Sequence, residues 1–218
     1  FRKNGLTLVL FAESVVWDTV SYDMDGFFVF DQYDKINEWH LFDYHQPPPG
    51  GLLIGRDYSH GNAVWMDDDY NAIMSLRHLS GIVSVFADPL DPLFGEVNWS
   101  LGGNPEDLDL ASDFSMISSI GVDPTFRQQH NVHLMGDGRL ALFDNQLGIT
   151  PSRLLHISLD EVAGTADIDG AFDLPLHCDF QGGAWHTPAG NPFPTCAPMR
   201  TAYEFDLQDP VHIWEMQV

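Results

Sequence analysis

The 218 residues predict an all-β chain, and three observations carry that reading. Windows with apolar residues at i, i+3, i+4 and i+7 are scarce, whereas short apolar or alternating runs recur throughout. The punctuation between them is Asp, Gly, Asn and Pro, as in Asp67-Asp68-Asp69, Gly136-Asp137-Gly138 and Pro188-Ala189-Gly190-Asn191, the residues that tight turns demand. The third observation is self-similarity at a period near 40 to 50 residues.

The expected strands, in order, are Leu6 to Phe11, Gly26 to Phe30, Ala63 to Met66, Ala72 to Leu76, Gly81 to Phe86, Val132 to Met135, Arg139 to Phe143, Leu154 to Leu159 and Ala202 to Leu207. Residues 60–103 open on His60-Gly61-Asn62-Ala63-Val64, pass an acidic turn to Asn71-Ala72-Ile73-Met74-Ser75-Leu76, and close on Gly95-Glu96-Val97-Asn98-Trp99. Residues 130–173 repeat the order from His130-Asn131-Val132-His133-Leu134, through Arg139-Leu140-Ala141-Leu142-Phe143, to Ala163 to Asp167. A third copy starts at Gly183-Ala184-Trp185-His186, and a fourth, incomplete at its front, spans Gly5 to Trp39. Four short strands per repeat are what a β-propeller blade requires. A β-sandwich would share the short strands, but the repeated order of motifs favours blades. The expectation is therefore one propeller domain over residues 1–218, holding about four blades and lacking N-terminal ones. Residues 104–129 fit no blade and are expected to be an inserted loop.

Nine Lys and Arg stand against 32 Asp and Glu, a net charge of −23. Nucleic acid and anionic membrane both need a basic footprint, so neither is an expected partner. No apolar run approaches the ~20 residues of a bilayer-spanning helix. Lys3 and Lys35 are the two lysines, and so acidic a surface stays hydrated in high salt. Cys178 and Cys196 share one segment with no CxxC spacing. They close a local disulfide worth roughly 3 kcal/mol in the chain-entropy model, or stand as two buried thiols. The first alternative suits an oxidising compartment, periplasmic or extracellular.

The inner strand of a blade lines the central channel, so the first residues of successive inner strands are expected to converge. His60, His130 and either His186 or Trp185 hold that position in the alignment above. Arg77 and His78 follow the second strand of the His60 repeat, and a guanidinium is a natural clamp for a tetrahedral anion. Arg56, Arg77, Arg127, Arg139 and Arg153, five of the seven arginines, fall in the stretch that also holds both histidines. An anion-binding site is expected there. Asp67-Asp68-Asp69 lacks the Gly and distant Glu of an EF-hand, and HExxH, GxSxG and Gly-rich phosphate loops are missing, so no metal centre is expected. Whether calcium sits in the channel is open at this level.

The run Asp57-Tyr58-Ser59-His60-Gly61-Asn62-Ala63-Val64, then Ile73 to Ile82 and Val97-Asn98-Trp99-Ser100-Leu101-Gly102-Gly103, resembles the arylsulfotransferase propellers. So do Gln129-His130-Asn131, Asp137 to Asn145 and Ser152-Arg153. The resemblance implies a six-bladed propeller that moves a sulfuryl group between phenols with no nucleotide sulfate donor. It implies that His130 becomes transiently sulfated, with His60 and Arg77 in support and a further histidine upstream of Phe1. Phenols and aryl sulfates are then the expected small-molecule partners. His78, Asn62, Arg153 and Trp185 are expected to contact substrate, the last by stacking on the ring. A propeller that only binds or scaffolds, or one that hydrolyses the ester, would show the same residues. The segment Asn191 to Pro198 departs from the family pattern.

Overall fold

In a computed structural model, residues 1–3, 5–48, 57–103, 110–146, 151–207 and 212–217 are described. Arg56 and residues 104–109 lie outside them. The chain is all-β and divides into two compact units, Phe1–Asp113 and Phe114–Val218.

In the first unit, β1 (Arg2–Lys3), β2 (Leu6–Trp17), β3 (Val20–Asp31) and β4 (Asp34–His40) form one four-stranded antiparallel meander. A single helical turn, α1 (Leu41–Tyr44), follows. The meander β5 (Gly61–Met66), β6 (Asn71–Leu76), β7 (Gly81–Phe86) and β8 (Val97–Gly102) is the second sheet. Every residue of β6 is buried, and four of its six, Ala72, Ile73, Met74 and Leu76, are apolar. Tyr22, Met24, Phe27 and Val29 from β3 share one core with Met66, Met74, Val83 and Val85.

The second unit repeats the plan. β9 (Ser115–Ser118) is followed by β10 (His130–Leu134), β11 (Leu140–Asp144), β12 (Arg153–Asp160) and β13 (Thr165–Asp173). The last four make a meander, as do β14 (Gly183–His186), β15 (Pro192–Cys196), β16 (Thr201–Phe205) and β17 (His212–Gln217). Four-stranded meanders in series are propeller blades. Within the stretch expected to be a loop, β9 is a strand that runs parallel to β13 and adds a fifth member at the sheet edge. An open edge leaves unpaired N–H and C=O groups, and β9 covers part of this one. Cys178 and Cys196 are joined by a disulfide, with Cα atoms 5.9 Å apart, inside the core formed by Phe143, Leu154, Phe172, Tyr203 and Phe205.

The inner hairpins fix which residues correspond. Each closes on a five-residue frame in which the first N–H donates to the last C=O: Asp67 to Asn71 (3.0 Å), Met135 to Arg139 (2.7 Å) and Thr187 to Asn191 (2.9 Å). The fourth residue of each frame is left-handed, with φ 64° at Tyr70, 88° at Gly138 and 89° at Gly190. Glycine meets that demand freely, whereas Tyr70 meets it under strain. Counting back from these frames, His60 corresponds to Gln128, and His130 to Asn62. The left-handed residue ahead of these two inner strands agrees: His60 (φ 51°) and Gln128 (φ 50°). The expectation that His60 and His130 hold one position is thus corrected by two residues. Its cause is that the hairpin turns, not the histidines, fix the repeat: each inner strand carries one β-bulge, between Gly61 and Ala63 and between His130 and His133, so the bulges cancel, and matching histidine letters slides one strand two residues against the other.

Candidate functional site

Histidine-centred networks emerge in both units. In the first, the backbone of β3 pairs with the segment before β5: Tyr58 N–H donates to Asp23 O (2.9 Å), and Asp23 bridges Asp57. The carboxylate of Asp25 completes the clamp. Its Oδ2 accepts from Ser59 Oγ (2.5 Å) and from Gly61 N–H (2.6 Å), and Ser59 Oγ accepts from Asp25 N–H (3.0 Å). Burial pushes the Asp25 carboxyl up, and the hydrogen bonds from Ser59 and Gly61 oppose it. Gly61 is required here, because a Cβ would stand 3.0 Å from the Asp25 side chain and 2.8 Å from Met74. We expect Asp25→Ala to strand the Ser59 hydroxyl and the Gly61 amide, at about 1–3 kcal/mol of stability in urea unfolding. An unchanged midpoint would show the clamp to be idle.

The clamped segment displays Asp57, His60, Arg77 and His78 together. His60 Nδ1–H donates to the Asp57 carboxylate, and His78 Nδ1–H donates to the Asp57 carbonyl (2.6 Å). One aspartate therefore orients two imidazoles, whose ring centroids are 4.7 Å apart. Arg77 Nη1–H donates to His78 Nε2 (2.6 Å), and Arg77 N–H to His60 O (3.1 Å). That last bond holds His60 in its left-handed conformation, a strain worth on the order of 1–3 kcal/mol. Burial lowers the affinity of His78 for a proton, with Arg77 adding to the effect, so the ring stays neutral and accepts from the guanidinium. Asn62, the second residue of this inner strand, is its bulged residue.

In the second unit His130 is buried, at 8% exposure. Asn145 decides its tautomer. Asn145 Nδ2 donates to Cys178 O (2.7 Å) and Gln181 O (2.9 Å), so its Oδ1 must be the atom 2.7 Å from His130 Nδ1. His130 therefore carries its proton on Nδ1 and its lone pair on Nε2. Neither Asn145 nor Asp57 nor Asp25 was singled out as a site residue from sequence. Asn145 closes the motif Asp144-Asn145, and Asp57 lies three residues before His60, but the contacts that give them meaning are tertiary.

Arg153 is placed differently from the expectation. It is buried, its Nε donating to Asp144 Oδ2 (3.0 Å) and its Nη2 to Asp123 O (3.1 Å) and Thr125 O (2.6 Å). Asp144 also accepts from the Arg127 (2.9 Å) and Gln146 (3.0 Å) amides. The guanidinium is used in shaping the connection that leads to His130, not in meeting a substrate anion. Breaking such a buried pair leaves an uncompensated charge, and Arg153→Ala is expected to destabilise by about 3–5 kcal/mol, read by thermal and denaturant unfolding. A stable, active variant would overturn this assignment. Trp185, 47% exposed, stacks on His133 with ring centroids 5.5 Å apart. His186 joins a separate group, its Nε2 2.8 Å from His156 Nε2, and Arg139 Nη1 lies 3.5 Å from His156 Nδ1.

Four-stranded meanders in series define the chain as a propeller protein, with oriented imidazoles and a guanidinium displayed on its strands. The family follows from a sequence match: the arylsulfotransferase (ASST) model matches residues 18–155, more than half of the chain, and the chain belongs to that family. No curated protein matches it. Similar solved structures include virginiamycin B lyase from Staphylococcus aureus (11% identity, TM-score 0.46, covering 77% of this chain and 44% of that one). They also include a protein of unknown function from Bacteroides caccae (10%, TM-score 0.47, 91% and 56%). A third is the periplasmic gluconolactonase of Pseudomonas aeruginosa (12%, TM-score 0.44, 90% and 50%). The chain spans about half the length of these structures. Family membership rests on the sequence match alone. Among the described residues, no helix is long and apolar enough to cross a membrane.

Proposed function

We propose that the protein transfers a sulfuryl group from an aryl sulfate to a phenol through a sulfohistidine on His130, without a nucleotide sulfate donor. The observation that supports it is the Asn145 amide, which leaves the lone pair on His130 Nε2. In the first half-reaction Nε2 attacks sulfur, the N–S bond forms, and the S–O bond to the aryl group breaks with its electrons going to the leaving phenolate. The ring becomes cationic, and the Nδ1–H faces the Asn145 carbonyl dipole, which is suited to that charge. The phenolate takes up a proton, and His60, whose ring the Asp57 carboxylate orients, is the proposed donor. Arg77 is the proposed partner of the sulfuryl oxygens, with His78, Asn62 and Trp185 as proposed substrate contacts. In the second half-reaction an acceptor phenol oxygen attacks sulfur, the N–S electrons return to Nε2, and His60 takes the phenol proton.

The Cys178–Cys196 disulfide supports the further proposal that the protein works in a periplasmic or extracellular setting. The chemistry is tested by mixing the protein with a chromogenic aryl sulfate in the absence of a phenol, quenching, and mapping the modified peptide by mass spectrometry. A sulfuryl adduct on His130 is expected. Chromophore release with no adduct, or none of either, would refute the reading and leave a binding propeller.

A further inference from the structure

Among the described residues, Asp57, His60 and His78 form a group in which one donor atom from each lies within 4.8 Å of the others. We propose that this group is a binding site for a borderline divalent transition-metal ion such as Zn2+, whose occupancy competes with the roles proposed above for His60, His78 and Arg77. Imidazole and carboxylate are the ligands such ions select, and two His with one Asp is a complete protein set for a metal that keeps water in its remaining position. The set is also pre-oriented. In the metal-free state one proton joins His60 Nδ1 to the Asp57 carboxylate. A metal takes the place of that proton, which moves to Nε2 of the same ring or to solvent, and the two ligand atoms separate to span the ion. The side chains of Asp57 and His60 are 50% and 41% exposed, so water can complete the coordination shell and the ion has a way in.

The backbone that carries the group is held from beneath. Asp25 fixes Ser59 and Gly61, and the Arg77 amide fixes the His60 carbonyl, so two of the three ligands flank clamped residues. Preorganisation of this kind lowers the ordering cost of binding. One neighbour opposes the ion: Arg77 Nη1 stands 2.6 Å from His78 Nε2 and places a positive charge beside the site. This gives the proposal a signed consequence. Removing that charge must tighten metal binding, although the same change removes the proposed sulfuryl clamp.

The test is calorimetric titration of the full chain with Zn2+, which makes no use of turnover and so stands or fails apart from the sulfotransferase reading. One equivalent is expected to bind. Asp57→Asn and His78→Ala should each weaken it by about tenfold or more. Arg77→Met should tighten it by about tenfold, the scale of a unit charge acting on a divalent ion a few ångströms away in a water-like medium. His186→Gln, in the other histidine cluster, should leave it unchanged. Absence of binding would overturn the proposal, as would loss of binding in His186→Gln or weaker binding in Arg77→Met. Circular dichroism of each variant separates a lost ligand from a lost fold.

Discussion

His130→Ala is expected to lower turnover of a chromogenic aryl sulfate by on the order of 10³-fold or more, because the variant has no atom on which the sulfuryl group can wait. The loss should fall on kcat, since the ring acts on the reacting sulfur. Asn145→Ala is the informative companion. It leaves the nucleophile in place but frees the ring to carry its proton on Nε2, the tautomer that cannot attack. We expect a fall of roughly 10²-fold, comparable with losses seen when a ligand-orienting partner is removed. Adding imidazole to His130→Ala should restore part of the release, with the small molecule taking the group instead. Two outcomes would sink the assignment: His130→Ala turning over at the parental rate, or Asn145→Ala showing no loss.

The second large effect is on acid stability. His156 is 1% exposed, and burial, with His186 and Arg139 adding to it, lowers its proton affinity from the ordinary imidazole value of 6.5 to about 3. Asp137 opposes the shift, and burial likewise lowers His133 and His186. The sign follows from which state binds the proton. Between 6.5 and 3 the unfolded chain protonates this ring while the folded chain does not, so stability is fully present above pH 6.5 and drains away as pH falls. Between pH 7 and pH 4 the ring contributes about 3 kcal/mol to that loss. Carboxylates titrate over the same range, so the readout is the difference between the parent and His156→Gln. The variant should start less stable at pH 7 and lose about 3 kcal/mol less on acidification. Parallel loss in the two proteins would rule out His156 as the cause.

Much of the architecture was legible in the letters. Turn residues at Asp67 to Asp69, Gly136 to Gly138 and Pro188 to Asn191 sit where the inner hairpins turn, because few residues tolerate those backbone angles. Buried strands such as Asn71–Leu76 stand out by their apolar majority. The register does not, since it is set by which residues pair across strands and carries no compositional mark. Matching the conspicuous histidines pairs His60 with His130, whereas its structural counterpart is Gln128. The site was half legible. Histidines and arginines are conspicuous by type, whereas Asp25 looks like any acidic residue in a chain that has 32 of them.

The order of residues is enough to show that the chain is all-β, that it repeats in blade-sized segments, and that most of its arginines share a stretch with His60 and His130. Periodicity and turn chemistry act over a few residues, so they can be read along a line. Only the tertiary structure decided which tautomer His130 holds, that Asp57 orients two imidazoles, and that Arg153 is consumed by Asp144. Each of those depends on a hydrogen bond whose two ends are brought together by strand pairing, and no linear spacing encodes such a distance.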